Sequence, residues 1–256
     1  MATGALGNTP ALQLVGLHKT YRMGAHEVQA LRGVDLSLAP GEMLALTGPS
    51  GSGKSTLLRL MAGLYAPLAG NVRLDGVDMQ QIEPTEMRSR IGYVGQDPQL
   101  FMGTVRENLV LADSWISDMK IVEVLKTLNI YDIIAHHPLG LDMPITEAGG
   151  GLSGGQRQLL SIARMMLRNP QLVYMDEPTS NMDQNTEARV IHVMRDWLRG
   201  RTLLMSTHRP QLLEWVDLIA VIDSGQCVAW GPKQEMLDKL SRGIDVNGNK
   251  GQGAAA

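Results

Sequence analysis

An α/β fold with a mainly parallel core sheet is what this sequence of 256 residues predicts. Short, fully apolar segments alternate with segments of helical apolar spacing, the pattern of strands covered on both faces by helices. Several of the apolar segments end on glycine, paired acids or histidine, so polar chemistry collects at one edge of the sheet. The composition agrees with a folded core: 44% of residues are hydrophobic and 19% charged.

The elements follow in chain order. "EMLALTG" (Glu42 to Gly48) is a short apolar strand ending in glycine, and "STLLRLMAGL" after it has helical spacing. "QLVYMDEP" (Gln171 to Pro178) is a second buried strand, stopped by proline after two acids. "RTLLMSTH" (Arg201 to His208) is a third, and "LIAVIDSGQCVAWG" reads as two strands about a turn at Ser224–Gly225. Between the first and second strands the character changes. "VRENLVL", "ISDMKIVEVLKTLNIYDII" and "GGQRQLLSIARMMLRN" all read as helical, with no strand expected from Thr104 to Asn169. A helical subdomain, placed at about 97–169, is therefore expected inside a folded unit of 11–242. Residues 1–10 and 243–256 are expected to be flexible tails, too small and polar to bury a core.

The bulk numbers exclude some functions. A net charge of −3 does not favour nucleic acid as a partner. Cys227 is the only cysteine, so no internal disulfide forms. No apolar run approaches the ~18 residues that span a bilayer, and the N-terminus carries no signal-peptide pattern. Work at a membrane would require another chain or segment to supply the membrane part.

The chemistry starts at "GPSGSGKST", Gly48, Pro49, Ser50, Gly51, Ser52, Gly53, Lys54, Ser55 and Thr56. Glycines and small residues between a strand and a helix let consecutive backbone N–H groups converge on phosphate oxygens. Lys54 reaches the β- and γ-phosphates, and the Ser55 hydroxyl takes one place around Mg²⁺. This is the P-loop pattern. A flexible turn accounts for the glycines but not for a lysine–hydroxyl pair opening an amphipathic helix. Asp176 closes a buried strand and so brings a carboxylate to the ligand edge of the sheet, where it can hold Mg²⁺. Glu177 beside it suits a base that orients attacking water.

"LSGGQ" (Leu152 to Gln156) precedes a helix. Ser153, Gly154, Gly155 and Gln156 there form a capped helix start and a second candidate anion site. With the P-loop and "LVYMDE", this stretch resembles the ATPase domain of ABC transporters, over nearly the whole folded unit and in family order. The resemblance implies a P-loop NTPase with an antiparallel β subdomain and a helical subdomain. It further implies that ATP and Mg²⁺ are bound, and that a second such domain packs head to tail so that Ser153 to Gln156 of one serves the other. Carried over residue by residue, it implies that Tyr21 stacks on adenine and that Gln96 touches Mg²⁺ and the attacking water. It places His208 at the γ-phosphate and Asp183 at the nucleotide interface. "SNMD" departs from the family's S-A-L-D at Asn181 and Met182.

"DPQLFMGTVRENL" and Glu147 in "TEAGGGLSGGQ" look like the exporter branch, and the stretch from Gly63 to Val94 is most similar to type I secretion and bacteriocin-type exporters. The opening "LHKTYRMGAHEVQALRGVDLSL" instead resembles ATPase subunits of lipoprotein-release and macrolide-efflux systems. Transmembrane permease partners and a position on the inner face of the cell membrane follow from either resemblance. A soluble, non-transport ABC ATPase and a non-hydrolysing ATP switch are the remaining alternatives; the presence of Glu177 and His208 argues against the switch.

Overall fold

The structure, a computed structural model, describes residues 9–24, 26–111 and 115–241. Most of both expected tails, and the expected boundary at Arg242, lie outside the described residues. The strands in chain order are β1 (Leu12–Met23), β2 (His26–Leu38), β3 (Met43–Thr47), β4 (Ala69–Leu74), β5 (Val77–Asp78), β6 (Ile91–Val94), β7 (Gly103–Thr104), β8 (Pro144–Ile145), β9 (Leu172–Asp176), β10 (Thr202–Ser206), β11 (Leu218–Asp223) and β12 (Gln226–Pro232). The helices are α1 (Lys54–Met61), α2 (Pro84–Arg90), α3 (Val105–Val110), α4 (Asp118–Thr127), α5 (Tyr131–Ala135), α6 (Gly154–Arg168), α7 (Gln184–Trp197), α8 (Pro210–Leu213) and α9 (Lys233–Ser241).

Six strands form the central sheet, in the order β12-β11-β3-β10-β9-β6. Every pairing in it is parallel except β11 with β12. Side-chain alternation along each strand splits between two cores. Leu44 and Leu46 of β3, Tyr174 of β9, and Ala220 and Ile222 of β11 face one; Ala45, Val173, Met175, Ile219 and Val221 face the other. Both faces are dry, which is why these strands read as continuous apolar runs rather than alternating ones.

The first core lies under α1 and a four-stranded antiparallel sheet, β2-β1-β4-β5. The second lies under α6 and the helical subdomain. The antiparallel sheet fits the expected fold, but its long strands were not marked by alternation in the sequence. β1 pairs β2 with register shifts after Leu14, Leu17 and Lys19, and each shift breaks the period-2 pattern.

The helical subdomain differs from the sequence expectation in two places. Gly103–Thr104 pairs antiparallel with Pro144–Ile145, so a short two-strand ladder stands where no strand was expected. Two residues per strand are too few to show a period. The long helical stretch through "LKTLNIYDII" is also broken, because Asn129 takes φ 55 and turns the chain between α4 and α5. Asparagine tolerates the left-handed region better than most residues. At the end of α6, Asn169 does the same with φ 53 and terminates the helix where its apolar spacing stops.

Candidate functional site

The ligand edge of the central sheet carries an open cleft of about 720 Å³, a size suited to a nucleotide. Tyr21, Ser50, Gly51, Gly53, Lys54, Ser55, Thr56, Gln96, Asp176, Glu177 and His208 all line it. Five separate stretches of sequence thus converge there.

The loop between β3 and α1 is held by its neighbours. A Cβ at Gly48 (φ 132) would stand 2.0 Å from the Ile222 carbonyl oxygen, and one at Gly53 (φ 108) 2.5 Å from that of Ala30. Only glycine lets this backbone lie so close to β2 and β11. Gly225, in the β11–β12 turn, donates its N–H to Ser52 O at 2.9 Å, and Arg32 N donates to Gly225 O at 2.8 Å. The antiparallel sheet and the β11–β12 hairpin therefore brace the loop from behind.

Lys54 is the first residue of α1 and is largely buried. Its ammonium donates to the carbonyls of Gly48 and Pro49, both at 2.8 Å. Burial lowers its pKa from the ordinary value, while the charges of Glu177 and then Asp176 act to raise it. A buried cation with this surrounding gains from a phosphate charge beside it.

Asp176 ends β9 and is buried. Ser206, at the end of neighbouring β10, donates its hydroxyl to Asp176 Oδ1 at 2.5 Å. Asp176 Oδ2 is buried and has no hydrogen-bond partner among the described residues. An orphaned carboxylate oxygen is costly unless a cation or a cation's water meets it, so the site fits Mg²⁺. Among the described residues no three His, Cys, Asp or Glu cluster as a metal cage. Mg²⁺ commonly takes one or two protein ligands and completes its shell with water and phosphate oxygens, which suits a single carboxylate beside a phosphate cradle.

Glu177 has φ 48, a strained conformation for a residue with a side chain. Its N–H donates to Ser206 O at 3.1 Å, which fixes the turn. Its Oε1 stands 3.4 Å from His208 Nε2. Burial raises the Glu177 pKa above the ordinary carboxylate value; Asp176 acts in the same direction, and His208 and Lys54 oppose it. A carboxylate made more basic beside a phosphate site is equipped to accept a proton from water.

Ser206 was missed in the sequence. It anchors both acids, and its one signal was its place at the end of a buried strand. Ser180, Ser224 and Gly225 also line the cleft without having been expected there. Tyr21 faces the cleft from β1, edge-to-face with Tyr65 at 6.1 Å between ring centroids.

The remaining expected residues are elsewhere. Ser153, Gly155, Gln156 and Asp183 line a separate depression with Asn129, Thr186 and Arg189. Gly154 is the first residue of α6. Ser153 caps α6: its hydroxyl accepts from Gln156 N at 3.2 Å, while the Gln156 side chain accepts from Ser153 N at 2.8 Å. That reciprocal pair is a capping box. Asp183 caps α7 by accepting from the N–H groups of Asn185 and Thr186 and the Thr186 hydroxyl. The hydrogen bonds from Thr186 lower its pKa. One chain thus carries two anion-suited regions that it does not bring together.

Residues 31–180 match the ABC transporter family. The chain belongs to that family. It is 38% identical over 218 residues to an ABC multidrug transporter of Aspergillus fumigatus, covering 84% of this chain and 16% of that protein. It is 38% identical over 232 residues to the mitochondrial ATP-binding cassette sub-family B member 10 of Mus musculus, covering 90% of this chain and 32% of that one. A solved bacterial Atm1-family ABC exporter with ATP bound superposes with a TM-score of 0.82 at 32% identity, over 93% of this chain and 41% of its own. The chain therefore spans well under half the length of these relatives. The region matched is the ATP-binding part of that family, and the relatives it resembles are named as a multidrug transporter and an exporter.

Proposed function

We propose that this domain binds Mg·ATP in the P-loop cleft and hydrolyses it within a head-to-tail pair of such domains, driving export through transmembrane partners. One observation carries the reading. A glycine-built phosphate cradle, an unpartnered buried carboxylate oxygen and a Glu177–His208 pair share one cleft. The capped start of α6 lies outside it and is left to serve another copy.

In this reading Lys54 and the loop N–H groups hold the β- and γ-phosphates, and Tyr21 supports the adenine. Ser55, Gln96 and Asp176 would hold Mg²⁺, which neutralises charge building on the transferred phosphoryl group. Glu177 orients and deprotonates the attacking water, and His208 keeps Glu177 and the γ-phosphate in register. Hydrolysis of this kind needs positioned water and neutralised charge more than covalent help. Ser153 to Gln156 of the partner would close over the γ-phosphate, with Asp183 beside them at the interface.

The permease is proposed to dock on the edge of the helical subdomain. Among the described residues no helix is long and apolar enough to cross a membrane. Phe101 and Met102 are 44% and 78% exposed, while their neighbour Leu100 is buried in the second core. A groove of about 210 Å³ nearby is lined by Leu64, Tyr93, Leu111 and Arg164. Arg164 also stands 5.8 Å from the Phe101 ring. Such a groove suits a short helix of the permease.

Association supplies the test. Light scattering with ATP should show a dimer for Glu177→Gln and a monomer for the double variant Glu177→Gln/Ser153→Asp. Aspartate keeps the helix cap but sets a negative charge where the γ-phosphate would arrive. An ATP-dependent dimer in the double variant overturns the head-to-tail arrangement.

A further inference from the structure

Asn181 and Met182, where "SNMD" differs from the S-A-L-D pattern of the resemblance, play no part in the reading above. Met182 is buried in the second core, so it anchors the turn after Glu177. Asn181 sits on that anchored turn with its side chain amide donating to the backbone carbonyl of Gln96 at 3.0 Å. The preceding carbonyl, of Gly95, accepts from Gln158 Nε2 at 3.2 Å. Gln158 is fully buried in the middle of α6. Two consecutive carbonyls at the Gln96 loop are thus gripped by amides from two different elements. Asn181 also packs on the start of α6: a Cβ at Gly155 would stand 3.1 Å from the Asn181 carbonyl oxygen, and one at Gly154 3.6 Å from the Asn181 Cβ.

We infer that Asn181 is a positioning residue, a latch that ties the Gln96 loop to the turn after Glu177 and so sets where Gln96 stands in the cleft. An alanine, as in the S-A-L-D pattern, carries no donor and would leave the Gln96 carbonyl to solvent. Met182 makes the latch firm by burying the residue next to it. Gln158 holds the neighbouring carbonyl from α6, so a shift of the helical subdomain pulls on the same loop from its other side. The inference rests on the proposed role of Gln96 in hydrolysis but does not follow from it, because a chain with alanine at this position would hold the loop by Gln158 alone.

The nucleotide contacts proposed for Lys54 and Tyr21 do not pass through Asn181. The latch therefore acts on turnover, through the placing of Gln96, and leaves the contacts to the nucleotide itself in place. For the full chain with Mg·ATP, Asn181→Ala should lower kcat by about five- to tenfold, the loss of a single hydrogen bond, with KM for ATP within about twofold of wild type. Asn181→Asp has the same shape but offers an oxygen to the Gln96 carbonyl, and should be at least as slow. Asn181→Gln keeps the donor and should recover more than half of the lost rate. Hydrogen exchange across residues 95–101 should quicken in the alanine and aspartate variants and not in the glutamine variant, a readout independent of catalysis. Wild-type kcat and wild-type exchange in Asn181→Ala, a KM that rises in step with the loss of kcat, or a glutamine variant as slow as alanine would each overturn the latch. Lys54→Ala measured alongside separates the two ideas. If it keeps wild-type turnover, the cleft reading has failed; if it is inactive while Asn181→Ala is normal, only the latch has.

Discussion

Replacing Gly48 by alanine tests whether the phosphate loop is held by close backbone approach or by flexibility. At φ 132 an alanine is strained, and its Cβ would fall 2.0 Å from the Ile222 carbonyl oxygen, a backbone atom of β11 that cannot swing aside. Backbone strain of this sort costs about 1–3 kcal/mol, and displacing packed neighbours about 1–3 kcal/mol more. Loss of glycine's freedom in the unfolded chain returns about 0.4–1 kcal/mol, leaving a net destabilisation of about 1–5 kcal/mol. Gly51 is the control. It also has positive φ (77), but a Cβ there meets nothing within 4 Å, so its cost is the strain alone, about 1–2 kcal/mol at most. Since about 1 kcal/mol moves the midpoint of a domain this size by roughly 2–4 °C, Gly48→Ala should melt about 2–20 °C below wild type, and Gly51→Ala by less than Gly48→Ala and within about 8 °C of wild type. Thermal melts followed by circular dichroism, with Mg·ATP affinity measured on the same samples, decide it. Equal losses in the two variants would refute the argument from close approach.

Tyr174 is fully buried and its hydroxyl has no partner among the described residues, and burial raises its pKa far above the ordinary value. Tyr174→Phe should therefore stabilise the domain by about 1–2 kcal/mol, the cost of an unmet buried hydroxyl, read as a higher urea midpoint; a lower midpoint would show that the hydroxyl has a partner. Glu177 gives a pH dependence. Its folded pKa is raised above the ordinary 4.5, so its contribution to stability is fully present below that value and is lost as pH rises through the folded pKa. Glu177→Gln should thus unfold at higher urea than wild type at pH 7, with the gap closing toward pH 4; a gap that widens on acidification would give the shift the opposite sign.

The sequence spoke most clearly where chemistry restricts residue type. The glycines, Lys54 and the two acids fall in one cleft because strands covered on both faces must deliver their polar ends to the same edge. The β11–β12 turn at Ser224–Gly225 was legible for a similar reason: both residues have positive φ, which few sequences allow. What the sequence hid depends on tertiary neighbours. Ser206 is an ordinary strand serine until β10 lies parallel to β9, with Ser206 opposite Asp176. The register shifts in β1 removed the alternation that would have marked the antiparallel sheet. Leu100, Phe101 and Met102 looked alike in sequence, yet one is buried and two are exposed, because the loop turns at the Asn108 side chain, which bonds both the N–H and the carbonyl of Phe101.

The central claim is that Glu177 serves hydrolysis and not ATP binding. Glu177→Gln keeps the size and hydrogen-bonding reach of the side chain and removes its charge. Single-turnover hydrolysis of labelled ATP by this variant should fall by about 10²–10⁴-fold, the range for loss of a general base, while Mg·ATP still binds with wild-type affinity. A rate within about threefold of wild type would leave Glu177 as an acid that merely ends a strand, and would contradict the account.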